Sequence, residues 1–176
     1  MKEQLDTIIS DLKAIMGRDA PESANASETA VGSPSYAIIG TGMMGREHIR
    51  AILQLKQARI VGIFDEDAGS VKRALREFTQ SGHEAPAVYT DLDDLTDDKR
   101  VDAILICTPN FTHRQVFDAI KHTGRPVFLE KPMATTLEDA IYLAEASLSY
   151  PSSILLGMQY RYKSQYQLAL DAINNG

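Results

Sequence analysis

Ser35 to Ile49 reads SYAIIGTGMMGREHI: an apolar run, three glycines within six positions, then a segment with helical spacing. Gly40, Gly42 and Gly45 form G-x-G-x-x-G, a pattern that by itself admits two readings. One is a glycine-rich turn between two core elements. The other is a cradle for a dinucleotide, in which N–H groups at a helix start and the helix dipole offset the pyrophosphate charge. The flanks decide between them. YAIIG is strand-like and GREHIRAILQL carries a helical stripe, which is the context the second reading requires. Gly40 then makes the tight turn, Gly42 admits the pyrophosphate, and Gly45 lets helix and strand pack closely. Thr41, Met43 and Met44 complete the cofactor loop.

The next apolar run, ARIVGIF, leads to Asp65, which lies 20 residues beyond Gly45. A carboxylate there accepts hydrogen bonds from the adenosine ribose hydroxyls. Asp65, with Glu66 and Asp67 after it, repels a 2′-phosphate, so the expected cofactor is NAD, with NADP disfavoured. Lys72 and Arg73, on the following helix, partly offset that charge.

Further apolar runs follow at AVY, VDAILIC, PVFLE and SILLGM, with helical stretches between most of them, such as Val71, Ala74, Leu75 and Phe78, or Leu137, Ala140, Ile141 and Ala144. Runs like AILIC are apolar on consecutive residues, which suits strands buried on both faces. Strand–helix alternation of this kind predicts an α/β fold with a doubly wound parallel Rossmann sheet and helices on both faces, spanning 35–158. Thr135 and Glu138 are spaced as a capping box. A last helix is expected over Ser164 to Asn175, ending at Gly176.

Upstream, Leu5, Ile8, Ile9, Leu12, Ile15 and Met16 predict an amphipathic helix over 1–16 that packs on its own domain or on a partner. Residues 17–34, rich in small and polar residues, read as a linker. The acidic residues near the start argue against a targeting peptide, and no apolar stretch approaches the roughly 20 residues of a spanning helix. A net charge of −6 disfavours nucleic acid as a partner. The lone Cys107 offers neither a disulfide framework nor a metal cluster and fits a cytoplasmic protein. His48, His83 and His122 read as surface or helix-packing residues.

Three stretches, VDAILICTPNFTH (Val101 to His113), PVFLEKPMATTLEDA (Pro126 to Ala140) and GMQYRY (Gly157 to Tyr162), resemble the Gfo/Idh/MocA oxidoreductases, the family of glucose–fructose oxidoreductase and inositol dehydrogenase. The resemblance runs from about Tyr36 to Gly176. It implies that Thr108, Pro109, Asn110 and His113 line the cofactor, that Glu130 contacts its nicotinamide half, and that Lys131 is the active-site lysine facing a polyol or sugar hydroxyl. Pro132 would fix the turn that aims it, and a partly buried ammonium there is suited to acid–base work. The resemblance further implies that Gln159 and Arg161 fall near a crossover, 159–176, toward a second α/β domain, expected to be absent from these 176 residues; Gln159 stands where many members have asparagine. Read from the residues alone, Lys131 is also compatible with a solvated lysine at a strand end, and His113 with an ordinary helix-start residue. Two function classes follow: the cofactor half of a dehydrogenase of this type, or a free-standing dinucleotide-binding or interaction module. The expectation is cofactor binding without appreciable turnover, and self-association, with a homo-oligomer possible, through Tyr166, Leu170 and Ile173.

Overall fold

The computed structural model describes residues 33–175. The helix expected over 1–16, and all of the 17–34 linker but its last two residues, lie outside that range. Six strands form one sheet: β1 (Ser35–Ile39), β2 (Arg59–Phe64), β3 (Ala87–Val88), β4 (Ala103–Ile106), β5 (Val127–Leu129) and β6 (Ile154–Leu156). All neighbours are parallel, in the order β3-β2-β1-β4-β5-β6. Six α-helices connect them or follow: α1 (Met43–Leu53), α2 (Ala68–Gln80), α3 (Leu92–Asp97), α4 (His113–Ile120), α5 (Leu137–Ser149) and α6 (Ser164–Asn175). The order reverses between β1 and β4, so the crevice outside their carboxyl ends is the switch point where ligands bind in such sheets.

Burial on both faces explains the consecutive apolar residues. Ala37, Ile39, Ile104 and Ile106 belong to one core with Phe117, Ile120 and Leu129; Ile38, Leu105 and Ile63 belong to the other with Ile49, Ala74 and Phe78. Alternate residues of one strand feed opposite cores because successive side chains point to opposite faces. Between α1 and α2, Arg46 and Arg50 both reach Glu77, at 3.4 and 2.6 Å.

Two details differ from the sequence reading. The N-cap of α5 is Thr136, not Thr135: its hydroxyl accepts from the Asp139 amide at 3.1 Å and donates to the Asp139 carboxylate at 2.8 Å. The buried face of α5 also lies elsewhere, for Leu143 is buried while Leu137 and Ile141 are exposed. The last helix covers the expected Ser164–Asn175. Among the described residues, no helix is long and apolar enough to cross a membrane.

Candidate cofactor site

The glycine turn joins β1 to α1. Gly40 has φ +90°, a conformation that strains any residue with a side chain, and its backbone is wedged against the end of β4. A Cβ on Gly40 would lie 2.6 Å from the Cys107 and Thr108 backbone, and one on Gly45 only 2.0 Å from the Gly40 carbonyl oxygen. Gly42 is the opposite case. Nothing lies within 4 Å of where its Cβ would stand. Gly42 is the N-cap of α1, with no side-chain cap, so the helix start is left to other acceptors. Space above that start, with backbone donors facing it, fits a pyrophosphate. Met43 is exposed and Met44 half-buried beside it.

Asp65 follows β2 at the neighbouring position. Its Oδ2 accepts from the Thr41 amide at 2.6 Å and the Thr41 hydroxyl at 3.1 Å, while Oδ1 accepts from the Asp67 amide at 2.9 Å. The carboxylate is thereby fixed against the turn, with acceptor capacity remaining on Oδ1. Asp67 caps α2 through the Gly69 and Ser70 amides and pairs with Arg73 at 3.1 Å. The Gly69 amide, with Ser70 and Arg73, holds its carboxyl below the usual carboxylate range. Arg73 also donates to Ser70 Oγ at 2.9 Å, so this cation is engaged on its own helix.

Beyond β4, Thr108 is half-buried and Pro109 and Asn110 are exposed, leading into a short 3-10 turn (Asn110–Thr112). Thr112 Oγ1 donates toward the Pro109 carbonyl at 2.7 Å and lies 2.9 Å from Thr108 Oγ1. His113 does not open to this surface. It is 1% exposed, with Nδ1 at 3.1 Å from the Met133 carbonyl and Nε2 at 3.2 Å from the Thr108 carbonyl. The expected cofactor contact is corrected: both ring nitrogens face protein carbonyls, and the ring ties the loop after β4 to the loop after β5. Cys107 is buried beneath, and burial, with the Glu130 charge, pushes its thiol well above the ordinary range.

Glu130 and Lys131 follow β5, and the Lys131–Pro132 peptide is cis. Glu130 is buried, with Oε2 accepting from the Lys131 amide at 2.9 Å and Oε1 at 2.7 Å from His48 Nε2. His48, in α1, which the sequence suggests is a surface or helix-packing residue, thus contacts a candidate site residue. Its ring stands edge-on to Phe128 with centroids 4.9 Å apart, and Phe128 fills the space over Gly157. Lys131 is exposed. It lines a cleft of about 240 Å³ together with Met158, Gln159, Tyr160 and Arg161. Gln159 and Arg161 sit on a 3-10 turn after β6 and are exposed.

All the expected residues thus fall beyond the carboxyl ends of parallel strands, with Thr41, His113 and Glu130 buried. A doubly wound sheet with an open glycine cradle at its switch point defines a dinucleotide-binding domain. Residues 35–150 match the family model described as an oxidoreductase family with an NAD-binding Rossmann fold, and the chain belongs to that family, Gfo/Idh/MocA. It is 37% identical over 132 residues to an inositol 2-dehydrogenase of Paracoccus denitrificans, covering 73% of this chain and 38% of that protein. A second inositol 2-dehydrogenase, from Gluconacetobacter diazotrophicus, is 34% identical over 143 residues, 79% of this chain and 41% of its own length. Among solved structures, the myo-inositol dehydrogenase from Lactobacillus casei in complex with NAD(H) and myo-inositol superposes with a TM-score of 0.73 at 29% identity, over 81% of this chain and 42% of that one. The chain spans about two fifths of the length of these relatives.

Proposed function

We propose that the chain binds NAD(H) along the carboxyl ends of its strands and serves as the cofactor half of a dehydrogenase acting on a hydroxyl of a small polyol or sugar. The observation that carries this is the empty space over Gly42, between two glycines that admit no side chain. The amides of the turn would hold the pyrophosphate, and Asp65, after β2, the adenosine ribose. β4 and β5 lie on the other side of β1 from β2, so Thr108, Pro109, Asn110 and Glu130 would face the nicotinamide half. When bound, the nicotinamide supplies a hydride acceptor. Lys131 would hold or accept the substrate proton at Nζ, and Arg161 and Gln159 would line the same cleft. The polyol class is supported by the relatives named above.

The exposure of Lys131 favours a second reading for this chain by itself, that of a module that binds cofactor without turnover. The engagement of Arg73 by Asp67 and Ser70 supports NAD over NADP, since that cation is not free for a 2′-phosphate. A cytoplasmic location agrees with a single buried thiol. Self-association is supported by the exposed Tyr166, Leu170 and Ile173 of α6.

The test is fluorescence titration of NADH and NADPH into the chain and into Gly42→Val. Saturable NADH binding, NADPH weaker by about tenfold or more, and a loss of about 100-fold in folded Gly42→Val are expected. Undiminished NADH binding by folded Gly42→Val refutes the cradle, and equal NADPH binding refutes the role of Asp65.

A further inference from the structure

We infer that His48 is a positioning residue for Glu130, and that it couples the cofactor helix to the turn carrying Lys131. The inference rests on the NAD(H) reading above.

The starting point is a buried carboxylate. Glu130 is 6% exposed, and a buried charge is tolerated only when its lone pairs are met by donors. Two donors meet it. The Lys131 amide is its immediate chain neighbour and moves with it, so it does not anchor the carboxylate to anything else. His48 is the anchor, reaching from α1 across 82 residues of sequence at 2.7 Å. An ionised carboxylate only accepts, so Nε2 is the donor, and the length is that of a charge-assisted hydrogen bond.

The imidazole is itself held. Its edge meets the Phe128 ring, and Phe128 is pinned in turn by the backbone of Gly157, where even a Cβ would come within 2.8 Å. The pair therefore sits where three segments converge: α1 behind the glycine turn, the end of β5, and the strand end that leads to Gln159 and Arg161. With both present donors in place, the carboxylate retains acceptor capacity toward the cleft. Without His48 the buried charge loses its only donor from another element among the described residues and turns toward water, taking that acceptor out of position.

The consequence is selective. Glu130 lies on the β4–β5 side of the cradle, whereas the pyrophosphate and adenosine ribose are held by the turn and Asp65. Loss of His48 should weaken whole dinucleotide and spare a ligand lacking the nicotinamide. The experiment titrates NADH and ADP-ribose separately into the full chain, His48→Ala and His48→Gln, with circular dichroism as the fold control. His48→Ala is expected to bind NADH about tenfold more weakly, with ADP-ribose changed by less than about twofold. Glutamine, whose amide donates at similar reach, is expected to restore NADH binding to within about threefold. Should His48→Ala fail to fold, His48→Asn, whose amide stops short of Glu130, carries the same comparison.

Unchanged NADH affinity in the alanine variant overturns the inference. So does a parallel loss of both ligands, which marks a disturbed α1, or a failure of glutamine to rescue. A wild-type chain that binds ADP-ribose but not NADH overturns this inference and leaves the cradle standing. One that binds neither removes the NAD(H) reading and this inference with it.

Discussion

Replacing Gly45 with alanine adds one methyl group at the point where α1 crosses the end of β1. That methyl would stand 2.0 Å from the Gly40 carbonyl oxygen, about 1.4 Å short of ordinary contact. Neither partner can yield cheaply. Gly40 donates its amide to the Phe64 carbonyl at 2.8 Å and is backed by the Cys107 and Thr108 backbone, so the oxygen is held from two sides. Gly45 is buried in the first turn of α1, whose Ile49 and Ile52 pack into the core. Relief requires the whole helix to rise off the sheet. Overpacking of this kind costs about 1–3 kcal/mol and at times more, against which alanine's better helix propensity returns about 1 kcal/mol. With two backbones in collision the upper end applies, a net loss of about 2 kcal/mol, which lowers Tm by roughly 4–8 °C for a domain of this size. Gly42→Ala is the control. Its methyl meets nothing, and its backbone φ of −63° suits any residue. A weaker N-cap costs it about 1 kcal/mol or less. Thermal and urea unfolding followed by circular dichroism measure both. A Gly45→Ala protein as stable as wild type, or less destabilised than Gly42→Ala, refutes the packing argument.

Two further predictions come from groups whose ionisation the fold displaces. Arg100, with help from the Tyr89 hydroxyl at 2.6 Å, holds the Asp98 carboxyl well below the usual carboxylate range. A depressed folded-state value means that the stabilisation is full above about pH 4 and is lost as pH falls through the folded value. Arg100 is well exposed, so solvent screening keeps the contribution small. Asp98→Asn should lose that stability at pH 7 and show a flatter acid limb; an unchanged acid limb in urea unfolding contradicts it. Burial and the Glu130 charge raise the Cys107 thiol far enough that the native chain should resist thiol reagents at pH 8 and react only on unfolding. Prompt stoichiometric modification of the folded chain contradicts that.

The sheet was legible in the sequence because strands covered on both faces need apolar residues at consecutive positions, and AILIC and YAIIG supply them. The turn was legible because glycine is forced there by backbone contacts, which a sequence records directly. Helix α5 was not. LEDAIYLAEASLS is apolar on several sides, so periodicity does not choose between the Leu137–Ile141 stripe and the Leu143 face that packs. Its cap was ambiguous for a related reason. Thr135 and Thr136 each precede an acidic residue by three positions, and it is the helix start at Leu137, with Arg114 on Asp139 at 2.9 Å, that selects the second pair. The contacts of His113 and His48 are the reverse of what the sequence suggests. The histidine beside the TPN element is buried between carbonyls, and the one on the flank of α1 reaches Glu130. Such pairing depends on how α1 lies over the sheet, and no local spacing encodes it.

The central claim, that a dinucleotide lies across the strand ends with its pyrophosphate over Gly42, is tested most directly by following backbone amide resonances of the isotope-labelled chain during NADH titration. The account predicts a saturable response centred on Thr41 to Gly45 and Asp65, extending to Thr108, Glu130 and Lys131, with the amides of α2 and α5 little changed. A folded chain whose glycine-turn amides do not respond to NADH, or whose responses cluster away from the carboxyl ends of β1, β2, β4 and β5, would contradict it.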